Sequence, residues 1–191
     1  MGLRYNAVFL FNVGVLMSQY LVLTAMGSDR TGCVSELTKL ASECGCNILD
    51  SRMAIFGLEF TFIMLLNGDN RAINKIEARI PMVAHALELI TMMKRTSGHK
   101  SYDLVEHYQA EYAGIDQPGI LKAMTAFFAT RKIDISSLKS EIDPQTNNMS
   151  ACISFALTES INIEDIESEF LQLCEQIAVQ GCIKKAPYGL V

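Results

Sequence analysis

Two six-residue stretches hold the side chains and spacing best suited to chemistry. Gly27-Ser28-Asp29-Arg30-Thr31-Gly32 and Gly114-Ile115-Asp116-Gln117-Pro118-Gly119 share the pattern Gly-x-Asp-x-x-Gly. The first follows a short apolar run, the second a strand with one apolar face, and each precedes a segment of helical periodicity. A turn at a helix N-terminus offers free backbone N–H groups and the positive end of the helix dipole, which suit a carboxylate or phosphate. Gly32 and Gly119 would let a ligand approach the main chain closely. Asp29 and Asp116 could balance an ammonium group or simply cap the following helix. Asn47, at the start of the next strand, could present an amide to the same region. Donors for an anion beside acceptors for a cation match an α-amino acid. Ordinary turn chemistry explains the same residues.

Other chemistries find no support. No Gly-Lys-Ser/Thr follows the turn, so it is not a Walker loop, and the dinucleotide fingerprint Gly-x-Gly-x-x-Gly is absent. No Gly-x-Ser-x-Gly elbow or His-Glu-x-x-His occurs, and His107 reads as a surface or packing residue in a strand. No nucleophile–base arrangement can be assembled, so no catalytic residue is assigned and an enzyme is not expected. Cys44-Gly45-Cys46 invites a metal reading. There is no Cys-x-x-Cys, however, and His85, His99 and His107 lack ligand spacing. Neither metal nor cofactor is expected. The six cysteines, which also include Cys33, Cys152, Cys174 and Cys182, read as reduced thiols acting as small hydrophobes in a cytoplasmic protein.

The chain has 191 residues, 50% of them hydrophobic and 19% charged, a composition that buries a core rather than staying disordered. Sixteen Lys+Arg against 21 Asp+Glu give a net charge of -5, which argues against direct nucleic-acid binding. The longest apolar run, Ala7 to Met17, is broken by Asn12 and Gly14 and falls short of the ~20 residues that span a membrane. Residues 1–17 are set apart as an N-terminal extension. Met17 is a candidate natural start, with residues 1–16 arising from start-site choice.

The elements that position the two turns form a repeat. Gly114, Asp116 and Gly119 each lie 87 positions after their counterparts, and the register continues to Asn47-Ile48 and Asp134-Ile135. A duplicated unit organises everything else. In the first copy, Tyr20 to Met26 reads as a buried strand. Val34, Leu37, Ala41 and Cys44 recur at helical spacing, and Gly45 is placed as a C-cap. Asn47 to Phe56 and Leu58 to Leu66 read as a hairpin turning at Gly57, with Phe60, Phe62 and Met64 on one face. Ile73, Ile76 and Ile80 make a second helical stripe that Pro81 ends or bends. Leu87 to Met93 supplies the last strand.

The second copy repeats the order β-α-β-β-α-β. Leu104, Tyr108, Ala110 and Tyr112 line one strand face, while Glu106 and Glu111 point to polar surroundings. Pro118 pre-sets the first turn of a helix through Met124, Phe127 and Phe128. Ile133–Ile142 and Met149–Leu157 form a hairpin, Ile163 to Ile177 a helix, and Gly181 onward the last strand. The expected fold is α+β: two tandem ferredoxin-like βαββαβ domains, each a four-stranded antiparallel sheet with both helices on one face. The expected boundaries are 18–95 and 102–191, with a linker at 96–101. The apolar hairpin of the first copy calls for cover on its outer sheet face, by domain packing or homo-oligomerisation.

A βαββαβ unit with Asp29-Arg30-Thr31-Gly32 or Asp116-Gln117-Pro118-Gly119 between its first strand and helix resembles the ACT-domain family. Two tandem copies without a catalytic domain narrow the likeness. Cys44-Gly45-Cys46-Asn47-Ile48-Leu49-Asp50-Ser51-Arg52 and Glu59 to Leu66 bring it close to tandem-ACT regulators of the glycine cleavage operon. The resemblance implies an accessory regulator that represses that operon when glycine is low. It implies action through a DNA-binding transcriptional activator, with glycine or another small amino acid relieving repression. It also implies ligand binding at interfaces between domains. The implied binding residues are Asp29, Arg30, Thr31, Gly32, Asn47 and Ile48, with Asp116, Gln117 and Gly119 in the second copy. Asp134 replaces Asn47 and Gln117-Pro118 replaces Arg30-Thr31, so the first copy is favoured. Two alternatives stay open: a detached ACT regulatory subunit of a metabolic enzyme, and an interaction module that binds no ligand.

Overall fold

The computed structural model describes residues 18–97, 106–158 and 161–186. They form two compact units, one on either side of residue 100. The first unit runs β1 (Gln19–Ser28), α1 (Cys33–Cys44), β2 (Asn47–Phe56), β3 (Glu59–Gly68), α2 (Asn70–Ala86) and β4 (Ile90–Thr96). The second runs β5 (Glu106–Ile115), α3 (Ile120–Thr130), β6 (Ile135–Ile142), β7 (Asn148–Leu157), α4 (Ile163–Gln176) and β8 (Gln180–Lys185). Both are antiparallel four-stranded sheets, ordered β2-β3-β1-β4 and β6-β7-β5-β8. This is the expected ferredoxin-like order.

Alternation along each strand decides what is buried. Leu21, Leu23 and Ala25 of β1 and Phe60, Phe62 and Met64 of β3 face the helices and lie within one core with Leu37, Ile73, Ile76 and Ile80. The second core is more aromatic: Phe128 packs against Phe155 and Phe127, and Phe127 against Phe170. Gly45 ends α1 in the left-handed conformation with its N–H on Ser42, as a C-cap glycine does.

Several expectations need correction. Pro81 neither ends α2 nor marks its boundary; the helix runs on to Ala86. Pro81 faces solvent, where the carbonyl it leaves unpaired can be hydrated, and Val83 and Ala84 beyond it still pack on the core. The last strand of the first unit starts at Ile90 rather than Leu87. Leu87 closes α2, Glu88 takes a left-handed φ of 55°, and Leu89 turns into the core. Thr96, counted above with the linker, is the last residue of β4 and pairs with Tyr20. Glu106 shares the parity of Tyr108 and Tyr112. It is exposed because it stands at the strand's end, whereas Glu111 is on the opposite face. Leu104, residues 98–101 and the N-terminal extension lie outside the described residues.

The sheet faces turned away from the helices differ. In the first unit this face carries exposed Met26, Ile63, Ile90 and Met92 around half-buried Val22 and Leu65. In the second unit the same positions hold Ala113, Cys152, Gln180 and Cys182 around Gln109 and Ser154, and the face also carries Glu111, Lys139 and Lys184, with Lys184 paired to Glu111 at 2.5 Å.

Candidate turn site at the strand-to-helix junction

Beyond β1, the backbone N–H of Asp29 donates to the Leu58 carbonyl at 3.0 Å, tying the strand's end to the neighbouring hairpin. Asp116 repeats this with Asn147 at 2.9 Å. The next four residues form a turn in which the N–H of Cys33 donates to the Arg30 carbonyl at 3.3 Å, with Gly32 at φ 100° and ψ -16°. Ile120 and Gln117 match it at 3.3 Å, with Gly119 at φ 101° and ψ -7°. Both are type II turns, which demand positive φ at the third position and favour proline at the second. Pro118 therefore sets the turn before the helix, not the first helical turn.

The aspartates do not cap the helices, contrary to the capping expectation. The N-caps are Gly32 and Gly119, and neither helix has a side-chain cap. The first helical bonds run from Glu36 to the Gly32 carbonyl and from Ala123 to that of Gly119, both at 2.9 Å. Among the described residues the N–H groups of Val34 and Ser35, and of Leu121 and Lys122, have no backbone partner. The Asp29 carboxylate is exposed and forms no hydrogen bond or ion pair there. A methyl group built on Gly32 or Gly119 meets nothing within 4 Å, so the main chain at both turns is open.

The first glycine of each motif has a different task. A Cβ on Gly27 would lie 2.8 Å from Leu89 Cδ2 and 3.0 Å from the Glu88 carbonyl oxygen. A Cβ on Gly114 would lie 3.0 Å from Val179 Cγ1 and 3.3 Å from the Ala178 carbonyl oxygen. Each glycine lets the end of β1 or β5 seat against the turn after α2 or α4. Arg30 reinforces that seat in the first unit. Its guanidinium donates to the Leu87 carbonyl and lies 3.5 Å from the Glu88 carboxylate. In the second unit Gln117 replaces Arg30, and Ala178, also left-handed, stands where Glu88 does. Both members of the pair are lost together.

Asn47 and Ile48 are not brought to this turn within the unit, contrary to expectation. Asn47 pairs with Asn67, level with Tyr20, while Ser28 pairs with Glu59 at the other end of the sheet. The twelve residues of α1 separate the two ends by ~18 Å. Asp134, just before β6, occupies the corresponding far end in the second unit. Near Asn47 an open groove of about 580 Å³ is lined in part by Cys44, Asn67, Asp69 and Lys75. Two of its charged groups are engaged: Asp69 caps α2 through the N–H of Ala72 at 2.7 Å, and Lys75 donates to the Glu43 carbonyl at 2.6 Å. Cys44 and Cys46 are buried, and burial pushes the Cys46 thiol up, away from the thiolate a metal needs. Among the described residues no three His, Cys, Asp or Glu side chains group as metal ligands. No helix there is long and apolar enough to cross a membrane.

The ACT-domain family pattern matches residues 19–94. The glycine cleavage system transcriptional repressor of Escherichia coli (strain K12) is 37% identical over 174 residues, covering 89% of this chain and 92% of that one. This chain belongs to the glycine cleavage system transcriptional repressor family. A crystal structure assigned to another such repressor is 36% identical, covers 89% of this chain and 99% of its own, and superposes with a TM-score of 0.71. An unknown protein from Galdieria sulphuraria, 22% identical with the same coverage, shares the fold at a TM-score of 0.74.

Within this repressor-family chain, sequence reasoning missed Leu87, Glu88 and Leu89. They read as the start of a strand, yet they form the turn on which the Gly-x-Asp-x-x-Gly segment rests. One signal was available: Arg30 and Glu88 of the first copy change together, to Gln117 and Ala178 in the second.

Proposed function

We propose that the protein is an accessory transcriptional regulator that represses a glycine cleavage operon through a DNA-binding activator protein, and that glycine bound at the Asp29–Gly32 turn relieves the repression. The observation that carries this reading is the match to the Escherichia coli repressor over nearly the whole of both chains. The net charge of -5 suits a regulator that works through a protein partner in the cytoplasm rather than on DNA itself.

The turn supplies what a zwitterion needs. The N–H groups of Val34 and Ser35 take the carboxylate, Asp29 takes the ammonium, and the bare face of Gly32 admits a ligand with no side chain. Arg30 is engaged by Leu87 and Glu88, so it holds the turn rather than the ligand. Asn47 and Ile48 would reach such a ligand only from a second copy. Asp116, Gln117 and Gly119 build a related turn, but without the Arg30–Glu88 tie, and the first unit is the favoured site.

Repression is relieved by linkage. Glycine favours one arrangement of the ACT units over another and shifts their populations by no more than its differential affinity. A coupling of about 1–3 kcal/mol changes partner affinity roughly 5- to 150-fold. The test is calorimetric and thermal-shift titration with glycine, serine, alanine and methionine, followed by capture of the activator with and without glycine. A glycine-selective rise in melting temperature with glycine-sensitive capture is expected. No shift with any amino acid, with capture unaffected, would establish an interaction module without a ligand. Recovery of a metabolic enzyme instead of an operon regulator would establish a detached regulatory subunit.

A further inference from the structure

The outer face of the first sheet is built in rows across four strands. One row reads Asp50, Leu65, Val22, Lys94, and the next reads Arg52, Ile63, Thr24, Met92. A third adds Ala54, Thr61, Met26 and Ile90. The centre is apolar, and Ile90 and Met92 are 71% and 68% exposed. The charges lie at the two edges: an acid on β2 and, in the same row, a base on β4. Asp50 has only its neighbour Arg52, at 3.5 Å, and Lys94 has no ion pair among the described residues.

We propose that this face binds the same face of a second copy of the chain, about a two-fold axis parallel to the strands. Such an axis exchanges the β2 and β4 edges and keeps each row at its own height. Asp50 of each copy then meets Lys94 of the other, twice per dimer, while Met92 and Ile90 meet the aliphatic stem of Arg52 and Ala54. An axis perpendicular to the strands reverses the order of the rows and loses both charge pairs. Aligned sheet packing at about 30° accommodates the twist of the two faces.

The size of the face agrees. Four strands ~4.8 Å apart and seven residues of ~3.4 Å each give a footprint of roughly 19 by 24 Å per copy. With side-chain relief, the two copies together bury an area near the low end of the ~1,200–2,000 Å² of stable pairs. A face of that size suits a reversible dimer rather than a permanent one. The second unit lacks the property: the row matching Asp50 to Lys94 reads Ser137, Ser154, Gln109, Lys184, with no acid on β6, and Lys184 is paired to Glu111 within the sheet.

The experiment is sedimentation velocity on the full chain from ~1 to 100 µM, without glycine, so its outcome is independent of the proposed ligand. The wild type should be a concentration-dependent dimer, and Met92→Glu should weaken it at least tenfold with an unchanged circular dichroism spectrum. Asp50→Lys and Lys94→Asp should each be monomeric alone and dimerise when mixed, because each mixed pair restores both contacts. The double variant should dimerise by itself. The two charge variants lie on exposed positions, so they carry the test even if Met92→Glu fails to fold. A wild type that stays monomeric at 100 µM overturns the proposal. A dimer indifferent to Met92→Glu overturns it too, as does a mixture of the two charge variants that fails to associate.

Discussion

Asp29→Ala separates a ligand-binding aspartate from a structural one. The substitution leaves the backbone bond from residue 29 to the Leu58 carbonyl intact and removes a carboxylate that caps nothing, since Gly32 is the N-cap of α1. Loss of a side-chain cap costs about 1 kcal/mol, whereas a surface substitution away from such features stays within ~0.5 kcal/mol. Urea unfolding should therefore show a change in stability below ~0.5 kcal/mol with an unchanged slope. Glycine affinity should respond differently. A hydrogen bond to a charged group contributes about 1.5–3 kcal/mol when sheltered. Asp29 is exposed, so the lower figure, discounted to about 1–1.5 kcal/mol, is the better guide, and it corresponds to roughly a 5- to 10-fold weaker Kd. Isothermal titration of wild type, Asp29→Ala and Asp116→Ala gives the comparison. A stability loss near 1 kcal/mol would refute the N-cap assignment. Undiminished glycine affinity in Asp29→Ala, with loss in Asp116→Ala, would move the site to the second unit.

Gly32→Ala should destabilise by about 1–2 kcal/mol in chemical unfolding, because an L-residue is held at φ 100° although its methyl group meets no neighbour. Gly181→Ala fails for the opposite reason. Its Cβ would lie 2.6 Å from Cys174 Sγ and 2.8 Å from Phe170 Cε1, and overpacking of about 1–3 kcal/mol should appear in the same assay. Burial pushes the Cys174 thiol up to about 11. The unfolded chain then loses that proton near pH 9 while the folded chain keeps it, so stability falls as pH rises from 9 to 11. The slope approaches about 1.4 kcal/mol per pH unit, and pH-dependent unfolding of Cys174→Ala should be flatter in that window.

The fold was legible because its signals are periodic. The alternation through Phe60, Phe62 and Met64, the stripe of Ile73, Ile76 and Ile80, and the repeat at 87 residues each report burial directly. The misreadings came where a residue's effect depends on a distant neighbour. Pro81 looks like a helix stop until Val83 and Ala84 are seen holding the next turn on the core. Leu87 and Leu89 look like strand residues, but Leu89 is apolar because it packs beneath Gly27. At the candidate site the residue types were visible and their grouping was not. Asn47 follows the turn by one helix, and a helix that returns antiparallel to its strand delivers the chain to the other end of the sheet. Gly32 read as an opening for a ligand, and its positive φ also answers to the type II turn. Nothing local in the sequence distinguishes the two.

The close seat of Gly27 on Glu88 and Leu89, and of Gly114 on Ala178 and Val179, has a mechanical meaning. With backbone 3.0–3.3 Å from where a methyl group would stand, there is no slack between the end of the central strand and the turn entering the edge strand. The turn at residues 29–32 and the turn at residues 87–89, which leads into Ile90 and Met92 at the rim of the apolar sheet face, are thus seated directly on one another. In the first unit Arg30 adds a tether across that joint. The second unit has the same close seat without the tether. The duplication has thus left one joint tied by a side chain and one held by packing alone.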